Sequence, residues 1–254
     1  MDIQTLHQRY LQQAGWTRPL RLHLYRTLEA ARRARILDLG CGTGVIAAEL
    51  AQRTLAEVHA VDKDPALIDY ARNEHQGLNI QWHVANAGSM PFPKGHFDLI
   101  VTHYFWLWVA SPMPSSLSLP LAVLKECRWI LKDNGRIAAL CEPDYGARID
   151  EPREMSAVYS RIRRSLIAQG ADPDIGPKLP EIFEHAGLRT ESGKTEIGWD
   201  NERHRAEFDG EWEFIESMPS DDPAHYKEIE RHAIEQGTRS SRMPVHWCIG
   251  RPRR

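Results

Sequence analysis

The chain predicts a three-layer α/β architecture, a parallel sheet with helices on both faces, on three observations. Short apolar runs alternate with helix-spaced segments from residue 35 to residue 142. Such alternation is the pattern of strand–helix–strand units. The first apolar run leads straight into glycines at alternate positions, Gly40, Gly42 and Gly44. No stretch approaches the ~20 apolar residues of a membrane-crossing helix.

The first 35 residues read as two helices. Ile3, Leu6, Tyr10 and Leu11 share a stripe that Gly15 stops, and "TRPLRLHLYRTLEAARRA" restarts it with Pro19 in a first turn, where proline is tolerated. Arg35–Leu39 is a short apolar strand, Val45–Arg53 a helix and Glu57–Asp62 a strand. "DPALIDYARNEH" is a helix with Asp64 as N-cap and Pro65 at its first position. Residues 80–85 and 97–103 read as strands, 119–131 as a helix, "KDNG" as a turn and 136–142 as a fifth strand.

Beyond residue 150 the spacing predicts a long helix over 153–169, a short one over 179–186 and a strand in "LRTESGKTEIGW". Residues 200–243 are polar and read as a helical insertion broken at "PSDDP", and "PVHWCIGRP" closes the chain as a last strand.

Composition narrows the classes of function. The 254 residues carry 32 Lys+Arg against 35 Asp+Glu, a formal charge of −3, which offers no general field for nucleic acid or a membrane surface. Four cysteines, Cys41, Cys127, Cys141 and Cys248, lie far apart without a CxxC pair. With a polar start, "MDIQTLHQRYLQQ", the expectation is a reduced, cytoplasmic protein without a disulfide framework. The histidines lack ligand spacing, so no metal site is expected.

The chemistry concentrates in "ILDLGCGTG", residues 36–44. Glycine admits positive φ and removes the Cβ that keeps a ligand from the main chain, and the following helix start offers unpaired N–H groups. A dinucleotide fingerprint is G-x-G-x-x-G. Here the spacing is G-x-G-x-G, and Val45 stands where that fingerprint has its third glycine. Asp38, two residues before Gly40, would repel a pyrophosphate and attract a cationic amino group.

This stretch resembles the first signature of the class I S-adenosylmethionine-dependent methyltransferases, hydrophobic-hydrophobic-Asp/Glu-x-Gly-x-Gly-x-Gly. Further landmarks agree. Asp62, with Lys63 beside it, ends the second strand where the family holds the ribose hydroxyls with an acid. "VANAGSMPFPKGHFDLIV" resembles the family's adenine-binding stretch, with Asn86 in place of the usual acid and the Ala87 N–H next to it. "LKECRWILKDNGRIAAL" resembles the approach to the fifth strand, and "GADPDIGPKLPEIFEHAGL" a segment of quinone-methylase-like small-molecule enzymes. The resemblance implies a Rossmann-like seven-stranded sheet with its last strand antiparallel, and S-adenosyl-L-methionine as cofactor. Asp38, Gly40, Cys41, Gly42, Gly44, Asp62, Lys63, Asn86, Ala87 and His103 then line its site.

Residues 1–34 are expected to form a helical lid on a methyltransferase domain of residues 35–254, with Tyr10 and Trp16 reaching the cofactor and an aromatic face suiting a sulfonium. Methyl transfer is an in-line displacement in which alignment supplies much of the acceleration. A base is needed only if the nucleophile must lose a proton. His103 is the base by intrinsic pKa, and Tyr104, Glu142 and Tyr145, past the fourth and fifth strands, are further catalytic candidates. Phe105, Trp106, Trp108, Trp212, Phe214 and Trp247 suffice for an apolar acceptor pocket, and equally for a core. The expected acceptor is a small molecule. The alternatives are a nucleic-acid or protein methyltransferase on the same fold, or a non-catalytic module that binds the cofactor. "THYF", residues 102–105, stands after the fourth strand in place of the Asn/Asp-Pro-Pro-Tyr/Phe of base-amino methylases.

Overall fold

The computed structural model describes residues 2–109, 118–216 and 223–253. Strands β1 (Arg35–Leu39), β2 (Glu57–Asp62), β3 (Ile80–Val84), β4 (Phe97–Thr102) and β5 (Leu131–Pro143) lie in the order β3-β2-β1-β4-β5, all parallel. Helices α2 (Val45–Arg53), α3 (Pro65–Glu74) and α4 (Ser118–Ile130) make the crossovers. Their connections turn the winding outward in two directions from β1, so the carboxyl ends of β1 and β4 border a crevice at the switch point.

Alternation along the strands builds two cores. Ile36, Val58, Leu99, Val101 and Leu140 face α2, α3 and α1 (Ile3–Thr27), and Leu37, Leu39, Val61, Ile100 and Ile137 face α4 and α6 (Leu179–His185). Both faces being covered explains why the strands read as unbroken apolar runs.

The last strand, β8 (Ser240–Pro252), is antiparallel to β5 along one edge and to β7 (Leu188–Trp199) along the other. The sheet has eight strands where seven were expected. The extra one, β6 (Ile149–Glu151), pairs with the start of β8. Three residues leave too little alternation to read. The "KDNG" turn is absorbed into β5 as a register shift between the partners of Phe97 and Leu99. Helix α5 (Met155–Ala168) packs on α7 (Asn201–Glu216) through Val158, Tyr159 and Ile162 against Trp212 and Ile215. The 200–243 insertion stops short of the expected residue 243, because β8 already begins at Ser240, where it pairs with β6, and helix α8 (Pro223–Glu235) completes it. Its expected break at "PSDDP" lies, up to residue 222, outside the described residues.

The largest departure is α1. The sequence predicts two helices separated at Gly15, and the structure has one helix running through Gly15 and Pro19. Tertiary anchors override the local breakers. The Trp16 Nε1–H donates to Glu207, Thr17 bonds His103, and Arg21 forks onto Glu49. Among the described residues no helix is long and apolar enough to cross a membrane, and the four cysteines are buried and unpaired.

Candidate active site

The turn after β1 is folded by its glycines. Gly40, Gly42 and Gly44 take φ of 74°, 52° and 84°, the left-handed region glycine enters without a Cβ penalty. The Gly40 and Cys41 N–H groups both donate to the Val61 carbonyl, and Gly44 N–H donates to Cys41, which ties the turn to the end of β2. Asp62 completes the tie. Its Oδ2 accepts from Gly42 N–H at 2.9 Å and its Oδ1 from Asp64 N–H at 3.0 Å. Each oxygen keeps a lone pair for a further donor.

Beneath the turn lies Asp38, 1% exposed, with Oδ2 lacking any partner among the described residues. Burial pushes its pKa up to about 7, against the Ala47 N–H, which lowers it. A buried carboxylate oxygen without a donor is costly, and a cationic ligand group is the natural relief. Asn86 is exposed, with Oδ1 accepting from Gly88 N–H in a tight local turn. Ala85 N–H donates to Asp62 O, which sets the 85–87 segment beside the same strand end. Lys63 is exposed next to Asp62.

Side chains of the protein itself lie on the glycine turn. A Cβ on Gly42 would sit 2.7 Å from the Tyr10 ring, one on Gly40 2.2 Å from the Phe105 ring, and one on Gly44 2.5 Å from Trp82. Tyr10 comes from α1, which is also pinned by His7 on Thr43 (2.8 Å). The helix thus closes over the turn. Trp16 does not join Tyr10 there. It packs with Ile197, Trp199, Met243 and Val245, because it stands on the face of α1 turned to β7 and α7.

The residues after β4 and β5 are brought together, in roles the sequence does not specify. His103 Nε2 meets Thr17 Oγ1 at 2.8 Å, and burial pulls its pKa well below the usual value. Its imidazole is neutral and weakly basic. Glu142 is fully buried, and its carboxylate accepts from Phe105 N–H (2.9 Å) and Leu107 N–H (3.4 Å), shaping the turn after β4. Burial raises its pKa to about 7 despite those bonds. Tyr104 holds a positive φ of 52° and has a buried hydroxyl without a partner among the described residues. Tyr145 packs between the α5–α7 and β7–β8 clusters, with its phenol held protonated by burial.

The residues missed from the sequence are Arg9 and Phe105 as neighbours of this region, and Glu207 and Glu211 on α7. Phe105 is read only as a generic aromatic, and Arg9 is one cation on a polar helix without a distinguishing pattern. Among the described residues no group of three His, Cys, Asp or Glu is placed to hold a metal ion.

The fold and this turn define an α/β protein with a glycine turn at the switch point of its parallel sheet. Residues 36–135 match the methyltransferase domain family model. The chain is 31% identical over 154 residues to the demethylmenaquinone methyltransferase of Tropheryma whipplei (strain Twist), 60% of this chain and 56% of that one. It is 36% identical over 111 residues to the aklanonic acid methyltransferase DauC of Streptomyces sp. (strain C5), 41% of this chain and 46% of that one. The YcgJ protein of Bacillus subtilis superposes with a TM-score of 0.58 at 16% identity, covering 93% of this chain and all of that one. The alignments with these two relatives span about half of each relative's length.

The matched segment, residues 36–135, is a methyltransferase domain, and the relatives and solved structures that share it support a class I methyltransferase with S-adenosyl-L-methionine as cofactor. The acceptors present fit that group: a carboxylate oxygen at Asp38 that is buried and unpartnered among the described residues, and two oxygens with spare lone pairs at Asp62, beside a main chain bare of Cβ atoms at the glycines.

Proposed function

We propose that the protein transfers a methyl group from S-adenosyl-L-methionine to a small, partly apolar acceptor. The observation that carries this reading is the unpartnered Asp38 oxygen beneath the three-glycine turn. When bound, the cofactor supplies an electrophilic methyl on a sulfonium sulfur. Asp38 would meet its amino group, Asp62 its ribose hydroxyls, and Asn86 and Ala87 its adenine edge, with the Asn86 oxygen using its second lone pair. Gly40, Cys41, Gly42, Gly44 and Lys63 would border it.

Helix α1 acts as a lid over residues 35–254. Tyr10 on Gly42 and His7 on Thr43 must part before a ligand reaches the turn. Closure would then exclude water, and the Tyr10 ring would offer an aromatic face to the sulfonium. His103 is best read as a positioning residue for α1, since its imidazole is held on Thr17 and burial makes it a weak base. Glu142 positions the Phe105–Leu107 backbone and thereby Tyr104. Alignment, not proton abstraction, is the main contribution of these groups. The described helices of the 200–243 insertion, α7 and α8, would form a wall of the acceptor site. The near-balanced charge favours a small acceptor over nucleic acid, and the buried free thiols suit a cytoplasmic setting.

The test is incubation of the protein with S-adenosylmethionine and metabolites extracted from cells, read by mass spectrometry. The reading predicts a metabolite that gains one methyl while S-adenosylhomocysteine accumulates in proportion. Cofactor left unconsumed in every fraction would refute the catalytic reading.

A further inference from the structure

Guanidinium groups gather at the rim where the parallel strands begin, opposite the glycine turn. Arg128, Arg136 and Arg253 donate to main-chain carbonyls, those of Ala186 (2.9 Å), Thr27 (3.0 Å) and Leu188 (3.3 Å). None of the three has a carboxylate partner among the described residues, so their charges stand unneutralised. Arg189 of β7 lies directly opposite Arg251 of β8, a like-charge pairing that destabilises a sheet. Arg251 reaches Glu191 only at 3.8 Å, with both side chains half exposed, and such a pair contributes little. Burial pulls the pKa of Arg136 down, and Arg251 and Arg33 pull it further, as neighbouring cations do.

These groups adjoin one another, and large apolar side chains stand among them. The Arg128 guanidinium lies against Gly187, next to the Leu188 carbonyl that holds Arg253 and to Arg189. Beside Arg128 on α4, Trp129 is 54% exposed, with Lys94 5.6 Å from its ring centre. Farther along the same rim, Leu55 is fully exposed in the connection from α2 to β2, two residues before the Glu57 that pairs with Arg35. Neither Trp129 nor Leu55 belongs to a buried cluster, so each leaves apolar surface in water.

The partner must bring negative charge to the arginines and an apolar phase to Trp129 and Leu55. Nucleic acid would match the charge but offers Leu55 no apolar phase. A bilayer with anionic headgroups supplies both, phosphates for the cations and the headgroup–acyl boundary for the two side chains. We propose that this rim, through Arg128, Arg189, Arg251, Arg253, Trp129 and Leu55, docks the protein on the surface of an anionic phospholipid membrane. The formal charge of −3 does not oppose this, because a screening length of about 8 Å leaves the local patch in control. Docked in this way, the glycine turn at the other ends of the strands faces the aqueous phase. The proposal is independent of the methyltransferase reading.

The test is co-sedimentation of the full chain with vesicles of phosphatidylcholine alone, and of equal parts phosphatidylcholine and phosphatidylglycerol. The expected result is binding at least about tenfold tighter to the mixed vesicles at about 0.1 M salt, with release at about 1 M. Arg189→Gln combined with Arg251→Gln should weaken that binding about twentyfold, close to fivefold for each cation. The double variant should melt no earlier than wild type, since it removes a repulsive pair. Trp129→Ser leaves the charge unchanged. It should weaken vesicle binding severalfold and leave unaltered the binding of heparin, a polyanion without an apolar phase. Equal binding to the two kinds of vesicle, binding to neither, or undiminished binding in the arginine variant would each overturn the proposal. Vesicle binding undiminished in Trp129→Ser would overturn it too, and would point to a polyanion such as nucleic acid. S-adenosylhomocysteine affinity, titrated without vesicles, reports separately on the methyltransferase reading and should be the same in every variant.

Discussion

Asp38 illustrates how one side chain links stability to binding. Its folded pKa is raised to about 7 from an ordinary 3.8, chiefly by burial. A raised acid favours its protonated form in the folded state, so its contribution to stability is full below about pH 4 and is lost as pH climbs to about 7. Ligand binding runs the other way, because a cationic amino group favours the ionised form. If only ionised Asp38 binds, S-adenosylhomocysteine affinity should rise about tenfold between pH 6 and pH 8. Asp38→Asn should flatten both trends, with urea denaturation reading the first and calorimetry the second. A wild-type affinity independent of pH in that window would remove Asp38 from the ligand. The need for an acid here is legible in the sequence, because an apolar strand ending in Asp and glycines has little structural use. The loss of its partner is not, since orphaning depends on what α2 fails to offer Oδ2.

Elements were legible where local and tertiary signals agree. Strands β1 and β2 and helices α2 and α3 fall as the spacing predicts, down to Asp64 capping α3 through Ala66 N–H. Helix α1 was not, because Gly15 and Pro19 are punctuation that its contacts with Glu49, His103 and Glu207 overrule. The insertion is held by a different device. Arg239, fully buried, donates from Nε to Glu230 of α8, from Nη2 to Asp150 of β6, and from Nη1 to the Glu151 and Ser240 carbonyls. Removing the cation leaves buried Glu230 with the Trp212 N–H but no Arg partner, and Asp150 with Arg148 alone, a loss of about 3 kcal/mol. Arg239→Met should show that loss in urea denaturation, with S-adenosylhomocysteine affinity at the remote glycine turn unchanged in the fraction that stays folded. A stability change under about 1 kcal/mol would mean the network contributes little.

At the scale of the molecule, the order β3-β2-β1-β4-β5 with β8 reversed beside β5 puts the ends of β1, β2 and β4 on one rim. That places Asp38, Asp62 and the His103–Tyr104 pair around one crevice, though they are separated by up to 66 residues in sequence (104 minus 38). The placing of Asp38 and Asp62, the proposed cofactor residues, beside the glycine turn was legible because they sit at fixed offsets from strand ends. The α1–α7 contacts were not, because Arg9 and Gln12 meet Glu211 and Glu207 only through the docking of α1 on α7. No local spacing encodes that contact.

If the turn after β1 receives an adenosyl ligand tethered by Asp62, a calorimetric titration with S-adenosylhomocysteine will show one ligand bound per chain, with affinity falling at least about tenfold in Asp62→Ala for the loss of two charge-assisted bonds. Absence of binding by folded wild-type protein at saturating ligand, or equal affinity in the variant, would contradict it.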